Sequence, residues 1–330
     1  MPPTAAFPST RSAEGPPNRV DLNNASSMNI RPVPVETMGI GKMPNNLRDI
    51  RELQSDKDAY AEELYRRWTG LMSYRYIGRN HGTMNLGEID NTVVIRRDLR
   101  DGAGGILAAT LAISAPEGCQ TDLVVVPNPV IASIQYLDPG VDVKKIEVVG
   151  SECIHQGRQM SYGRSIIVDA DNPDRVLALV HGQGAAIGEV PEGLDRMDVS
   201  GTELNIEDSP DLPPLWDAFG AFKRGDGFWV MPELRLETAS PDSALHIGPQ
   251  HVLLETAAID IAADLAGTRK LHMNSWHVMF LARAKVGAFR AEGTAYLAGP
   301  NKVGVSVMLH DEGNNDRNVS AASAVFDIVS

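Results

Sequence analysis

Cysteine is nearly absent: Cys119 and Cys153 are the only two in 330 residues. Two thiols make neither a disulfide framework nor a zinc cluster, which excludes small stapled folds and zinc modules. The expectation is a pair of buried, inert thiols in a reducing, cytoplasmic compartment. Long apolar runs are missing as well. The longest, around Val252–Ala266, is broken by Glu255, Asp260 and Asp264, and none reaches the roughly 18 residues of a membrane span. Met1 to Arg11 has no apolar run behind a basic start, so no secretory signal is read there. Basic residues are in deficit, with 30 Lys and Arg against 43 Asp and Glu, a formal net charge of -13. That argues against a broad phosphate-binding surface and against nucleic acid as a partner, while leaving room for a local basic patch.

Familiar catalytic motifs are equally scarce. No Gly-x-Ser-x-Gly elbow occurs, which counts against a serine hydrolase. There is no His-Glu-x-x-His pattern. His272 and His277 lie five apart in a strand-like run, so they fall on opposite faces of a sheet. No catalytic metal is expected. Gly102–Gly105 lacks the Lys-Ser/Thr of a phosphate loop and the full dinucleotide fingerprint, and no cofactor is expected either.

What is present suits a globular protein of two domains, with 43% hydrophobic and 22% charged residues. Residues 1–45, rich in Pro, Ser, Asn and Gly, read as an N-terminal arm. Residues 46–84 carry helical spacing, with Tyr60, Leu64, Trp68 and Leu71 on one face. From 85 to 190 comes a β-branched run, Thr92–Arg96, then a glycine turn, Gly102–Gly105, and an apolar helix, Ile106–Ser114. Strand-like segments follow at Asp122–Val126, Pro129–Leu137, Lys145–Ile154, Gln159–Asp169 and Arg175–Ile187. Residues 191–226 are acidic, with Pro210, Pro213 and Pro214 near the centre, and read as a linker.

From 227 to 330 the order repeats. A strand-like run, Phe228–Glu237, leads through His246–Gln250 into an apolar helix, Val252–Leu265, ended by Gly267. Four strands are expected after it, at Lys270–Leu281, Phe289–Leu297, Lys302–His310 and Asn318–Val329. Tyr136-Leu137 matches Phe280-Leu281, Gly150 matches Gly293, and Asp174-Arg175 matches Asp316-Arg317. Helices that do not alternate with strands exclude a β/α barrel. The fold class expected is α+β, with each helix buried by a curved antiparallel sheet and the two sheets covering one another's edges.

The run Phe280-Leu-Ala-Arg-Ala-Lys-Val-Gly287, followed by Arg290-Ala-Glu-Gly293, resembles a phrase of hot-dog acyl-CoA thioesterases of the phenylacetate-pathway type. Ala282 and Ala284 stand where that family often has other residues. Tyr136-Leu-Asp-Pro-Gly140 and Gln159-Met-Ser-Tyr-Gly163 look like a divergent copy. The resemblance implies a tandem double hot-dog and a thioester substrate held between the two helices, with further pairing into a homo-oligomer. It also implies a turn whose amides polarise the thioester carbonyl and an acid that serves as base or nucleophile.

Carried onto this chain, the amide turn is Gly104–Gly105 and the acid is Glu255, making one competent site per chain. A carboxylate on an apolar helix is costly unless paired or functional, and burial raises its pKa. Asp260, about 140° around the helix from Glu255, is the backup acid. His246 either hydrogen-bonds a substrate carbonyl or orients Glu255, or else caps the helix; His251 faces a similar choice, and Gln250 is a candidate to position water or a carbonyl. Arg283 and Lys285 are candidate contacts for CoA phosphates, or solvated strand ends. The functions that follow are acyl-CoA hydrolysis or, alternatively, non-catalytic binding of an acyl ligand. A hydratase or dehydratase remains a third reading, needing His246 paired with Glu255.

Overall fold

The computed structural model describes residues 47–79, 91–115, 125–195 and 203–329. The expected N-terminal arm lies outside them. In chain order the helices are α1 (Lys57–Gly70), α2 (Met72–Ile77), α3 (Ala108–Ser114), α4 (Leu215–Ala218) and α5 (Ile247–Ala266). The strands of the first half are β1 (Thr92–Val94), β2 (Val125–Tyr136), β3 (Lys145–Gln156), β4 (Met160–Asp169) and β5 (Asn172–Glu189). Those of the second are β6 (Phe222–Lys223), β7 (Trp229–Met231), β8 (Leu271–Phe280), β9 (Phe289–Leu297), β10 (Lys302–Asp311) and β11 (Arg317–Ile328).

These strands form one antiparallel sheet in the order β1-β3-β4-β5-β2-β8-β11-β10-β9-β7-β6. The order is mirrored about the β2–β8 seam: β2, β5, β4, β3 and β1 run outward on one side as β8, β11, β10, β9 and β7 do on the other. At the seam Ser133 pairs with His277 and Ile134 with Trp276. Ser133 and His277 stand three residues before Tyr136 and Phe280, so repeat-equivalent positions meet face to face. The internal repeat of the sequence is thus a two-fold arrangement of chain. Each half supplies the edge strand that the other lacks.

Alternation explains which face is covered. In β10, Val303, Val305, Val307 and Leu309 turn inward and are buried, with more exposed residues between them. In β8, Leu271 and Met273 are followed out of phase by Trp276, Val278 and Phe280. A register shift against β11 at Val325/Phe326 absorbs the extra residue. The buried faces close on α3 and α5, and one continuous core joins both helices to both halves of the sheet. All of α3 is buried, and α5 is apolar nearly all round, as a fully enclosed helix must be.

Three expectations need correction. The helix α5 starts at Ile247 and takes in Gly248 and Pro249, which read as a turn. A proline in the first turn lacks only an N–H that has no intrahelical acceptor. The strand expected over Phe228–Glu237 is short, Trp229–Met231. Cys153 is exposed on β3 and disulfide-bonded, so it is not a buried thiol, and the thiol-based reason for a reducing compartment falls away. Cys119 lies outside the described residues.

The acidic, proline-containing stretch is more than a spacer. Leu215, Phe219 and Ala221 are buried in the core, and Asp208 receives the Arg97 amide at 3.0 Å. The N-terminal helices are pinned by charge. The guanidinium of Arg67, wholly buried, donates to Glu63, to the carbonyls of Ser240 and Arg48, and to the Ser243 hydroxyl. Among the described residues, no helix is long and apolar enough to cross a membrane.

Candidate functional site

The helices α3 and α5 lie side by side in opposite directions. The start of α3 meets Glu255 in the middle of α5, while the first turn of α5, at Gly248, approaches Ile113 near the end of α3. The N-cap of α3 is Leu107, whose side chain cannot cap. Glu255 does the capping from the other helix. Its two carboxyl oxygens accept the Ala108 and Ala109 amides, both at 2.7 Å.

Glu255 is only 3% exposed. Burial pushes its carboxyl up to about 8, against the Ala109 and Ala108 amides, which pull it down, and the nearby Asp101 carboxylate adds to the rise. Glu255 therefore titrates near neutrality. A carboxyl in that range can hold a proton or take one up without a large energetic step.

Glu255 opens onto a cleft of about 350 Å³. Its apolar walls are Leu107, Val252 and Ile259 from the helices, with Leu212, Leu215 and Trp216 from the acidic stretch and Trp229 from β7. Arg97, Arg100 and Arg269 supply its positive charge, and Asp98, Asp101 and Asp260 share the polar side with Glu255.

The glycine turn is built by Asp101. Its Oδ1 accepts the amides of Ala103 and Gly105, each at 2.8 Å, and its Oδ2 lies 3.4 Å from His272 Nδ1. The Gly104 amide donates to the Asp101 carbonyl at 3.1 Å. A Cβ at Gly105 would come within 2.6 Å of Asp101 Oδ2 and 2.9 Å of His272 Nδ1, so a larger residue there would displace both side chains. The amides of Gly104 and Gly105 are therefore already used, and the donors that face Glu255 lie three or four residues further on. Backbone amides have no residue signature, which is why the sequence does not single out Ala108 and Ala109.

The other expected site residues spread away from Glu255. His246 is the N-cap of α5: its Nδ1 accepts the Gly248 amide at 3.2 Å and sits 3.0 Å from the Ser73 hydroxyl. Nine helical residues separate it from Glu255, about 13 Å along the axis, so it cannot orient that carboxyl. Gln250 is locked between the Leu245 carbonyl, at 2.7 Å, and the Ser320 hydroxyl. His251 is fully buried and accepts the Trp276 indole N–H at 3.0 Å on Nδ1. Burial holds it down at about 3, a neutral ring that ties α5 to the sheet.

Asp260 does line the cleft, but as an ion pair. Burial raises its carboxyl, and Lys223, Trp229 and Arg269 outweigh that and keep it below the usual range. The contacts are Lys223 Nζ at 2.6 Å, Arg269 Nη2 at 2.9 Å and Trp229 Nε1 at 3.2 Å.

Arg283 and Lys285 are not available to phosphates. Arg283 Nε donates to Asp242 at 2.6 Å and Nη1 to Asn128 at 2.6 Å, while Lys285 Nζ donates to Asp49 at 2.9 Å. Neither lines the cleft.

The place equivalent to Glu255's contact, at the start of α5, is filled differently. Ser73 from α2 is fully buried there, so close that a Cβ on Gly248 would fall 2.3 Å from its hydroxyl. Of the two helix starts, the one at α3 alone carries a titratable carboxyl next to the cleft.

An antiparallel sheet of mirrored halves around two opposed helices is an α+β architecture with one acid between the halves. No family model and no curated protein matches the sequence. Among solved structures, the chain is similar to a tesB protein of Mycobacterium avium subs paratuberculosis. The identity is 13% and the TM-score 0.46, over 75% of this chain and 97% of that one. It is also similar to the acyl-CoA thioesterase II TesB2 of Mycobacterium marinum, at 14% identity and a TM-score of 0.45, over 75% and 97% of the two chains. A protein of unknown function with a hot-dog fold from Alicyclobacillus acidocaldarius is similar at 12% identity and a TM-score of 0.45, over 72% and 92%.

Proposed function

We propose that the chain is a tandem double hot-dog protein, with units over 85–190 and 227–330, that hydrolyses an acyl-CoA in the cleft beside Glu255. The observation that carries this reading is a carboxyl that titrates near neutrality, buried between the two helices and open to a cavity. In the reaction, Glu255 draws a proton from water as the water oxygen adds to the thioester carbonyl carbon. The carbon–sulfur bond then breaks, and the proton passes to the departing CoA thiolate. The sequence phrase around Phe280 supports the same reading. Arg97, half-exposed beside the cleft, takes the place of Arg283 and Lys285 as a contact for CoA phosphates. Pairing of the chain into a homo-oligomer belongs to the same proposal.

Replacing Glu255 with Ala should abolish release of free CoA thiol from a panel of acyl-CoA thioesters. The wild type should release it. The variant leaves two buried amides without acceptors, so its folding is checked by circular dichroism alongside. Unchanged turnover in a folded variant ends the assignment.

One observation favours the second reading, an acyl ligand-binding protein without turnover. The Thr110 and Leu111 amides both donate to the Leu107 carbonyl, and those of Ala108 and Ala109 to Glu255. No amide in the first turn of α3 is left waiting for an oxyanion, so hydrolysis requires Glu255 to release one of its two donors. Tight binding across the panel with no thiol release would select the binder. The hydratase reading loses its support, because it needs His246 and Glu255 together.

A further inference from the structure

The cleft has two indoles at one end. Trp229 donates its Nε1 proton to Asp260 at 3.2 Å, and Trp216 packs against it edge to face, with ring centroids 4.9 Å apart and planes at 65°. Both rings are only partly buried, and both line the cavity. Their orientation is fixed from behind. Asp260, which holds Trp229, is itself clamped by Lys223 and Arg269. Trp216 stands in α4 between the buried Leu215 and Phe219, with Pro214 as the N-cap.

The distance from the reacting position to these rings is short. Asp260 follows Glu255 by five residues of α5, which is about 7.5 Å along the axis and about 140° around it. The aliphatic walls of the cleft are Leu107, Val252 and Ile259. The whole cleft, at about 350 Å³, is a little over twice the roughly 150 Å³ that encloses one benzene ring.

We propose that Trp216 and Trp229 are the end stop of the acyl slot, restricting the protein to compact acyl groups and excluding long-chain ones. This rests on the acyl-CoA reading of the same cleft. Trp216 comes from the acidic stretch between the halves, so that stretch sets specificity as well as connecting them. A rigid pair of indoles offers a flat surface to a short chain or ring and stands in the way of a long one.

The test separates fit from hydrolysis. Binding of non-hydrolysable CoA analogues, with a methylene in place of the sulfur and hexanoyl or palmitoyl as the acyl group, is measured by calorimetry. The proteins are the wild type, Trp216→Ala and Trp216→Leu, the last retaining apolar volume if the first fails to fold. The wild type should bind the hexanoyl analogue at least about tenfold more tightly than the palmitoyl one. Either variant should close most of that gap by gaining affinity for palmitoyl. Equal binding of both analogues by the wild type overturns the end stop, as does an unchanged preference in both variants. Absence of thiol release from hexanoyl-CoA with the preference intact removes the hydrolysis and leaves the end stop standing.

Discussion

Replacing Glu255 with Gln is expected to flatten the pH dependence of stability between pH 4.5 and about 8. The unfolded chain releases the Glu255 proton near the ordinary value of 4.5, while burial keeps it bound in the folded protein up to about 8. Between these values the folded state holds more protons than the unfolded one, so stability falls as pH rises. The contribution of the protonated carboxyl is complete below pH 4.5 and is lost as pH climbs through 8. The slope approaches about 1.4 kcal/mol for each step of one in pH, and the whole window amounts to about 5 kcal/mol. Gln has no proton to release. Its amide also accepts only one of the two N–H groups well, a cost that does not vary with pH. Urea unfolding of both proteins at pH 5, 6, 7 and 8 checks this. The difference in stability, wild type minus variant, should decline steadily; parallel curves would contradict a buried, pH-raised Glu255.

Trp276→Ala should cost about 3 to 5 kcal/mol of folding stability. Trp276 is wholly buried on β8, opposite Ile134 of β2 on one side and Ala324 of β11 on the other. It stands at the seam where the two halves join, and its indole N–H is the donor to His251 on α5. Truncation therefore opens a cavity at the seam and leaves a buried ring nitrogen without its donor. Trp276→Phe keeps most of the volume and loses only the hydrogen bond, at about 1 to 3 kcal/mol. Chemical denaturation of the two variants should reproduce that order. A loss below about 1 kcal/mol for Trp276→Ala would mean that the seam carries little of the fold.

Much of the sheet is legible in the sequence. The span Phe289–Leu297 is expected and found to the residue, because its alternation is closed on both sides by turn residues. Asp138-Pro-Gly140 marks the break after β2, while the turn between β4 and β5 is only Ala170-Asp171, and Asn172-Pro-Asp174, which read as turn, opens β5. The two matched glycines serve different ends: a Cβ on Gly293 would come within 2.4 Å of the Ser306 carbonyl, while Gly150 takes a φ of 59° at a register shift of β3. Less visible is the stretch around Trp216. Its prolines and acids look like linker, yet Leu215, Phe219 and Ala221 anchor it in the core. Proline forbids regular structure without forbidding packing.

The candidate site was legible on one side only. Glu255 stands out because a carboxyl in an apolar helix carries an obvious desolvation cost. The groups that meet that cost are main-chain amides of a helix 146 residues away, and any residue type other than proline supplies the same donor. Arg283 and Lys285 mislead for the opposite reason. Their charge is plain in the sequence, while the carboxylates that neutralise them, Asp242 and Asp49, are distant along the chain. His246 shows how a histidine before a buried helix most simply serves as its cap.

The account turns on a carboxyl that is enclosed by both halves of the chain and still exchanges its proton near neutral pH. The most direct measurement is the pH profile of kcat/KM for thiol release from hexanoyl-CoA, in the wild type and in Glu255→Gln. The wild-type rate should rise with pH, reach half its plateau near pH 8 and level off above it, as expected for a base of that pKa. The variant should be lower by about 10² to 10⁴ and should lose that rise. A variant with the wild-type rate and the wild-type profile would contradict the account.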